Sequence, residues 1–279
     1  MKKGKRMLIV GSGGLRGAYS AGVLAELCRR LGPDYFDAIL ASSVGVYAAT
    51  FYVADQPNII ENTWRNYVDS DKLVDFANKL KKKNILNLDY LSSIFKNHIS
   101  KLNVKRVIES GVNLKYVLTD FKTGNVVYLS PNETNIFDAM KASSAIFPLH
   151  SPVKIANRFY IDGGLSEPLP FRRRFADKYN KVLIVHNKEK SYTERRAIVL
   201  LFKLFSRLIS SKIGFLLDNY FKNLEEIKKE AIKHNNVFLL EPSKKIPLKS
   251  LLDTNRKRIN DTVDLGIKDT ERAIKFLSF

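Results

Sequence analysis

The apolar residues of this chain form short continuous runs, separated by longer segments with the three-to-four-residue spacing of helices. The runs over residues 7–10 and 36–41 each pass directly towards a helical pattern, and both predict short buried strands. Further strands are predicted over residues 112–121, 126–129, 158–161, 181–186 and 237–240. Helices are predicted over residues 18–30, 46–51, 60–68, 72–82, 90–99, 104–110, 131–144 and 255–277. No internal repeat or low-complexity linker interrupts this order.

The second strand is followed by the segment Ser-Ser-Val-Gly at residues 42–45 and then by a helix. A sharp strand-to-helix turn holds its turn residue in a strained backbone and displays that side chain above the sheet. Small residues two positions before and after it allow the strand and helix to approach closely, and Ala41 and Gly45 occupy those positions. The pattern predicts Ser43 as an exposed nucleophile, although an ordinary strand–helix turn has the same residues.

A glycine-rich stretch, Gly-Ser-Gly-Gly-Leu-Arg-Gly at residues 11–17, connects the first strand to the first helix. Backbone N–H groups at the positive end of a helix suit an anion, either a phosphate or the oxyanion that forms during acyl transfer. A dinucleotide site requires an acidic residue at the end of the second strand, where this chain has the serine turn instead. The oxyanion interpretation fits the neighbouring nucleophile.

Asp162 follows the strand over residues 158–161 and precedes two glycines. An aspartate at the end of a strand, followed by Gly-Gly, predicts a tight turn that displays the carboxylate. By itself this pattern also fits a plain turn without a catalytic role.

Together with Ala-Ser-Ser-Ala-Ile-Phe-Pro at residues 142–148, these three stretches resemble the patatin-like phospholipase family over about residues 5–175. The resemblance implies a three-layer α/β/α sandwich with a mostly parallel central sheet. It also implies a Ser–Asp dyad that hydrolyses acyl esters of lipids without a histidine, a metal or a cofactor. Ser43 matches the nucleophile and Asp162 the base, while the oxyanion turn matches at Gly13, Gly14 and Arg16.

On this basis, residues 5–175 are predicted to form the catalytic domain. Residues 176–279 are predicted to complete the sheet and to add amphipathic helices as a C-terminal extension. The chain departs from the family pattern at Ser12, Ala41 and Val44, where the family has glycine or a smaller residue.

Two alternatives to the dyad remain open at this stage. A serine hydroxyl needs a base within hydrogen-bond reach, and a Ser-His-Asp triad would have to use His98, His150, His186 or His234. The order of residues in α/β-hydrolases nominates His234 for that role. The second alternative is a catalytically silent protein of the same fold that binds lipid or nucleic acid.

The chain has 279 residues and a net charge of +19. Residues 1–170 contribute +7, from 22 Lys and Arg against 15 Asp and Glu, and residues 171–279 contribute +12, from 25 against 13. This excess predicts an anionic partner, although a generally basic surface would give the same charge. The basic stretch 172–190 contains only two aromatic residues, Phe175 and Tyr179, so stacking on nucleic acid bases is not favoured. The predicted partners are a phospholipid or other lipid ester and an anionic membrane surface.

Residues 195–221 predict an amphipathic helix. Its apolar side chains are Ile198, Leu201, Phe202, Phe205, Leu208 and Ile209, and opposite them lie Lys203, Arg207 and Ser210. Such a helix fits a membrane interface, but it also fits packing on the sheet or over the active site.

The single cysteine, Cys28, excludes an internal disulfide and favours a reducing compartment. The basic N-terminus is followed by an apolar run that is too short for the core of a signal peptide, and no run approaches the ~18 residues of a membrane span. We therefore expect a cytoplasmic protein that is peripheral on the inner face of the membrane.

Overall fold

The computed structural model of the chain describes residues 4–68, 72–75, 78, 83–97, 100–189 and 211–278. The strands are β1 (Arg6–Val10), β2 (Ala38–Ser42), β3 (Asn113–Asp120), β4 (Val126–Leu129), β5 (Val153–Ile155), β6 (Arg158–Asp162), β7 (Lys181–Val185) and β8 (Val237–Leu240). The helices are α1 (Ala18–Leu31), α2 (Gly45–Val53), α3 (Pro57–Asn66), α4 (Leu88–Lys96), α5 (Val104–Glu109), α6 (Ile136–Ser143), α7 (Arg173–Lys178), α8 (Ser211–Ala231) and α9 (Arg256–Ser278). Short 3-10 turns lie before α1, at Gly14–Gly17, and after β6, at Gly163–Leu165.

The strands of the described residues form one sheet in the order β5-β6-β3-β2-β1-β7-β8, with β4 also paired to β3. The pairings β3–β2, β2–β1, β1–β7 and β7–β8 are parallel. Antiparallel pairing joins β4 and β6 to β3, and β5 to β6. Because β1, β2 and β7 are parallel neighbours, the loops at their carboxyl ends meet at one edge of the sheet, which is where open α/β sheets bind ligands.

Side chains of the central strands alternate between two apolar layers, as the two-residue period of a strand requires. In β1, Leu8 and Val10 belong to the core that also contains side chains of α1, α2, α6 and α9. Met7 and Ile9 belong to the core on the opposite face, with side chains of α7 and α8. The predicted α/β/α sandwich, with a mostly parallel sheet and a helical C-terminal part, is confirmed.

The C-terminal helix α9 packs closely against α1, the helix that follows the glycine-rich turn. A Cβ on Gly22 of α1 would lie 2.2 Å from the carbonyl oxygen of Val263, and a Cβ on Gly266 of α9 would lie 2.2 Å from that of Tyr19. Only glycine allows the two backbones to approach this closely. The Tyr19 hydroxyl also donates a hydrogen bond to Asp269 of α9 over 3.2 Å. The last helix of the chain therefore fixes the helix behind the glycine-rich turn.

The helix predicted over residues 72–82 is wrong in its described part. Val74 instead forms an antiparallel bridge with Leu86. The N–H of Asn87 donates to the carbonyl oxygen of Leu73 over 2.8 Å, and the N–H of Asp75 donates to that of Ile85 over 2.9 Å. These bonds join segments about a dozen residues apart, whereas helical periodicity registers only neighbours within four positions.

Helix α6 and strand β5 also differ from the prediction. Helix α6 begins at Ile136 because the Asn135 side chain caps it, accepting the N–H of Phe137 over 3.0 Å. Strand β5 was not predicted, since it has only three residues and depends on pairing with β6.

The amphipathic segment predicted over residues 195–221 is only partly described. Residues 195–210, which include Leu201, Phe205 and Leu208, lie outside the described residues. Residues 211–221 belong to α8. Within the ranges that the structure describes, every helix is too short or too polar to cross a membrane.

Candidate active site

Ser43 lies in the turn between β2 and α2, at the carboxyl edge of the sheet. Its backbone φ is +56°, in the left-handed region that residues with a side chain rarely adopt. Gly45 opens α2 immediately behind the turn, and a Cβ there would lie 2.9 Å from the carbonyl oxygen of Val10. Ala41, two residues before Ser43, is fully buried. The backbone of the turn therefore has the geometry of a nucleophile elbow.

A direct hydrogen bond joins Ser43 and Asp162. The Ser43 Oγ donates to Oδ2 of Asp162 over 2.6 Å, and the N–H of Gly164 donates to Oδ1 over 2.7 Å. Gly163 packs on the backbone of β3, where a Cβ would lie 1.9 Å from the carbonyl oxygen of Val117. The structure thus brings together two predicted site residues that are 119 positions apart.

The carboxyl group of Asp162 lies in an environment that disfavours its charged form. Burial raises the pKa of Asp162 from 3.8 to about 7, although the hydrogen bonds from Ser43 and from the N–H of Gly164 act in the opposite direction. A carboxyl with a pKa near 7 can both accept and return a proton at neutral pH.

The segment of residues 142–148 braces both members of the pair. The Ser143 Oγ accepts the N–H of Ser43 over 3.1 Å and donates to the carbonyl oxygen of Val117 over 2.7 Å. The carbonyl oxygen of Ala145 accepts the N–H of Asp162 over 3.0 Å. Sequence reasoning found this segment but assigned no role to its residues.

The glycine-rich turn presents two backbone N–H groups beside Ser43. Gly14 has φ +56°, and the next N–H, that of Leu15, donates to the carbonyl oxygen of Leu251 over 2.8 Å. Within the described part of the chain, the N–H groups of Gly13 and Gly14 make no hydrogen bond. Gly13 and Gly14 both line the cavity that contains Ser43, and their role as oxyanion donors stays a prediction.

Asn187, which follows β7, forms hydrogen bonds to this turn and to the helix after it. It is fully buried, its Nδ2 donates to the carbonyl oxygen of Gly11 over 2.8 Å, and its Oδ1 accepts the N–H of Ser20 over 3.1 Å. A Cβ on Gly13 would lie 2.6 Å from the Asn187 Cβ. Asn187 therefore connects the first residue of the turn and the start of α1 to the carboxyl end of β7.

Arg16, the third residue predicted for the turn, lies away from the cavities. Its side chain is only 2% exposed and lines neither of the two cavities that contain Ser43. Its backbone N–H donates to the carbonyl oxygen of Gly13 over 3.2 Å. The Arg16 side chain is therefore buried outside both cavities, and its predicted part in the oxyanion turn stays a prediction.

Two cavities meet at Ser43 and share Gly14, Ile146 and Leu251. The first contains about 530 Å³ of empty space, part of it open to solvent, and its walls are almost entirely apolar. Its other lining residues are Leu15, Val44, Tyr47, Thr63, Trp64, Val68, Leu73, Leu86, Leu88, Leu91, Phe95, Ser144 and Leu252. The second contains about 900 Å³, also partly open solvent, and its lining includes Asp162, Lys188 and Tyr220. The serine thus lies between an apolar cavity and a wider one with polar groups.

The histidines of the described residues have other partners. The ring nitrogens of His150 and His186 face the carbonyl oxygen of Ser151 and a carboxylate oxygen of Glu241, over 2.6 and 3.3 Å. His234, the residue nominated for a triad, lies 3.5 Å from Glu230 instead of near Ser43. His98 lies outside the described residues. Among the described residues, no cluster of three or more His, Cys, Asp or Glu side chains could hold a metal ion.

A family model for Patatin-like phospholipase matches residues 8–174, which is more than half of the chain. The chain belongs to the patatin-like phospholipase family. This membership supports lipid hydrolysis as the general class of its activity.

One curated relative and one solved structure show how far the similarity of this patatin-like chain extends. It is 27% identical over 186 residues to the uncharacterized protein YjjU of Escherichia coli strain K12, an alignment that covers 65% of this chain and 51% of YjjU. The chain therefore spans about half the length of that curated relative. Its structure is similar to that of VipD from Legionella pneumophila, with a TM-score of 0.55 at 12% identity, covering 98% of this chain and 67% of VipD. At this identity the similarity is one of fold.

Sequence reasoning missed several residues of this patatin-like site. Asn187, Lys188, Tyr220 and Leu251 all follow residue 174, where the family match ends. The sequence signal for Asn187 and Lys188 was the predicted strand over residues 181–186, whose carboxyl end lies beside that of β1. Tyr220 lies in the amphipathic helix predicted over residues 195–221, for which packing over the active site was one of the alternatives.

Proposed function

We propose that this protein is a serine acyl hydrolase that cleaves carboxylic esters of lipids through Ser43 and Asp162. The observation that carries the proposal is the 2.6 Å hydrogen bond from Ser43 Oγ to a buried carboxylate, in a cavity that Gly13 and Gly14 also line. A serine hydroxyl needs an adjacent base to act as a nucleophile, and a neighbouring pair of N–H donors suits the oxyanion of acyl transfer.

In the proposed reaction, Ser43 Oγ attacks the ester carbonyl carbon while its proton passes to Oδ2 of Asp162. The carbonyl oxygen becomes an oxyanion that accepts hydrogen bonds from the N–H groups of Gly13 and Gly14. When the tetrahedral intermediate collapses, Asp162 returns the proton to the leaving alcohol and the acyl group stays on Ser43. Water then attacks the acyl-serine, Asp162 takes the proton of that water and returns it to Ser43 Oγ, and the fatty acid leaves.

The two cavities suggest how the substrate is oriented. The apolar cavity suits the acyl chain, because nearly all of its walls are hydrocarbon and a chain buried there gains about 0.8 kcal/mol per CH₂ group. The wider cavity suits the alcohol part of the ester. We propose that Ser43 attacks where the two cavities join.

We further propose that the protein acts in the cytoplasm at an anionic lipid surface, to which its charge of +19 attracts it. Basic residues near an acidic membrane contribute about 1 kcal/mol each, and salt screens the attraction. Cosedimentation with phosphatidylglycerol vesicles should exceed that with phosphatidylcholine vesicles and should fall as salt is added. Equal binding to both vesicles would contradict this location.

Hydrolysis of p-nitrophenyl butyrate, together with fatty acid release from phospholipid vesicles, tests the proposed chemistry. Ser43→Ala and Asp162→Asn should each lower both rates by at least about 10³-fold, because the two groups act as a unit. Ser42→Ala is the matched control, since Ser42 is the neighbouring serine and donates instead to the carbonyl oxygen of Glu167 over 3.3 Å. Wild-type rates in Ser43→Ala would end the proposal.

A further inference from the structure

Lys188 is a buried lysine in the wall of the catalytic cavity. It follows β7, is only 5% exposed, and lines the same cavity as Ser43 and Asp162. The rest of that wall is largely apolar, with Phe147, Leu165, Leu217 and Phe221 among its members. Among the described residues that line this cavity, Lys188 is the one cation. A few charged or polar groups placed in a mostly apolar pocket fix the orientation of a ligand.

A chain of polar groups links Lys188 to the glycine-rich turn. The Lys188 Nζ donates to the hydroxyl of Tyr220 over 3.3 Å, and that hydroxyl lies 3.4 Å from Ser12 Oγ. Ser12 precedes the predicted oxyanion glycines and contacts the turn after Asp162, since a Cβ on Gly164 would lie 2.7 Å from the Ser12 Cβ. The ammonium group is therefore two hydrogen-bond steps from Ser12, the residue that precedes the predicted oxyanion glycines.

The Tyr220 ring also holds the ammonium in place. Lys188 Nζ lies 5.1 Å from the centre of that ring and 5.9 Å from the centre of the Phe221 ring, and both residues belong to α8. Aromatic rings at this distance attract a cation. The two rings thus hold the ammonium group beside the cavity.

We infer that Lys188 forms a subsite for the phosphate group of a glycerophospholipid substrate, so that the enzyme prefers phosphate-bearing esters over neutral acylglycerols. This inference rests on the proposed function. With the acyl chain in the apolar cavity and the carbonyl oxygen at Gly13 and Gly14, the alcohol part of the ester enters the cavity that contains Lys188. A phosphate is joined to the glycerol of that alcohol, and an ammonium with three donors is a suitable partner for its oxygens.

Kinetics with monomeric short-chain substrates test the subsite without the effect of a charged surface. Dihexanoyl phosphatidylglycerol is compared with dihexanoylglycerol, which has the same two esters and no phosphate. Lys188→Met should lower kcat/KM for the phospholipid by roughly ten- to hundredfold, mainly through KM, because a hydrogen bond to a charged group is lost. The rate on dihexanoylglycerol should stay within about twofold, and Lys188→Arg should restore most of the phospholipid activity.

Lys222→Met is the matched control, because it removes the same charge from an exposed position of α8, where Lys222 faces Glu226. It should leave both substrates unaffected. Equal losses on both substrates in Lys188→Met, or no loss on either, would overturn the subsite. Absence of hydrolysis by the wild-type protein would contradict the proposed function instead of the subsite.

Binding measurements test the phosphate subsite at Lys188 independently of catalysis. Decyl phosphate and the uncharged 1-decylglycerol are titrated into the Ser43→Ala protein, with and without Lys188→Met. Lys188→Met should weaken decyl phosphate at least tenfold and leave decylglycerol unchanged, whereas parallel changes would refute the subsite. Inorganic phosphate should bind far more weakly than decyl phosphate. If it binds as tightly, the site is one for a free anion and the assignment to a lipid is wrong.

Discussion

Replacement of Asp162 by asparagine should make the protein more stable at alkaline pH. Burial raises the pKa of this carboxyl from 3.8 to about 7. As pH rises from about 4 to 7, the unfolded chain releases the proton and the folded protein keeps it, so the free energy of unfolding falls with pH. At 1.36 kcal/mol for each tenfold difference in proton affinity, the loss reaches about 4 kcal/mol above pH 7.

Asp162→Asn removes this titration and keeps a side chain of the same shape. Its amide oxygen can still accept the N–H of Gly164, while the bond from Ser43 changes. We expect the free energy of unfolding of Asp162→Asn, relative to wild type, to rise by about 3 kcal/mol between pH 4.5 and pH 8. Urea titration followed by the fluorescence of Trp64, the single and buried tryptophan, measures this difference.

Asp120 of β3 provides a control with the opposite sign. Burial acts to raise its pKa, but hydrogen bonds from the N–H and hydroxyl of Thr123, over 2.8 and 2.9 Å, hold that pKa below 3.8. Its stabilisation is therefore present above the unfolded pKa and is lost as pH falls. Asp120→Asn should then be more destabilising at pH 8 than under strongly acidic conditions. A pH-independent effect of Asp162→Asn would refute the reasoning about its burial.

Three further predictions concern the site. With a soluble ester, kcat/KM should rise with pH through an apparent pKa of about 7 and then level off, because Asp162 must be ionised to accept the proton. A profile that is flat from pH 5 to 8 would contradict its role as base. A fluorophosphonate should label Ser43, as mapped by mass spectrometry, and a label on Ser42 would show that the turn is misassigned. Ser143→Ala should lower the free energy of unfolding by about 1–3 kcal/mol, because it leaves the N–H of Ser43 and the carbonyl oxygen of Val117 without their partner. Urea titration measures this free energy of unfolding, and an unchanged midpoint would show that the Ser143 hydrogen bonds do not stabilise the site.

Features encoded over a few neighbouring residues could be predicted from the sequence. The strand over residues 7–10, the turn at Ser43 and the glycines of residues 11–17 each carry their signal locally, in apolar runs and in glycines at required positions. The resemblance of these motifs, in their order, to the patatin-like phospholipases then implied the fold and nominated Asp162 as a site residue.

The parts that failed depend on distant partners. Val74 pairs with Leu86 where helical periodicity predicted a helix. Asn187 reaches a glycine 176 positions away, and Leu251 accepts an N–H from residue 15, so neither role has a signature in its own surroundings. Such contacts form only when strands and helices that are distant in sequence pack together, and a local sequence pattern does not encode that packing.

The separation of 119 positions between Ser43 and Asp162 also determines when the site can form during folding. The two side chains meet only after β2 has paired with β3 and β6 has paired with β3. Both pairings close long loops, and the entropy of loop closure makes such contacts late events. In a refolding protein, reactivity of Ser43 towards a fluorophosphonate would therefore report completion of the sheet and not collapse of the chain. The rate at which Ser43 becomes reactive would then measure the rate at which these last long-range contacts form.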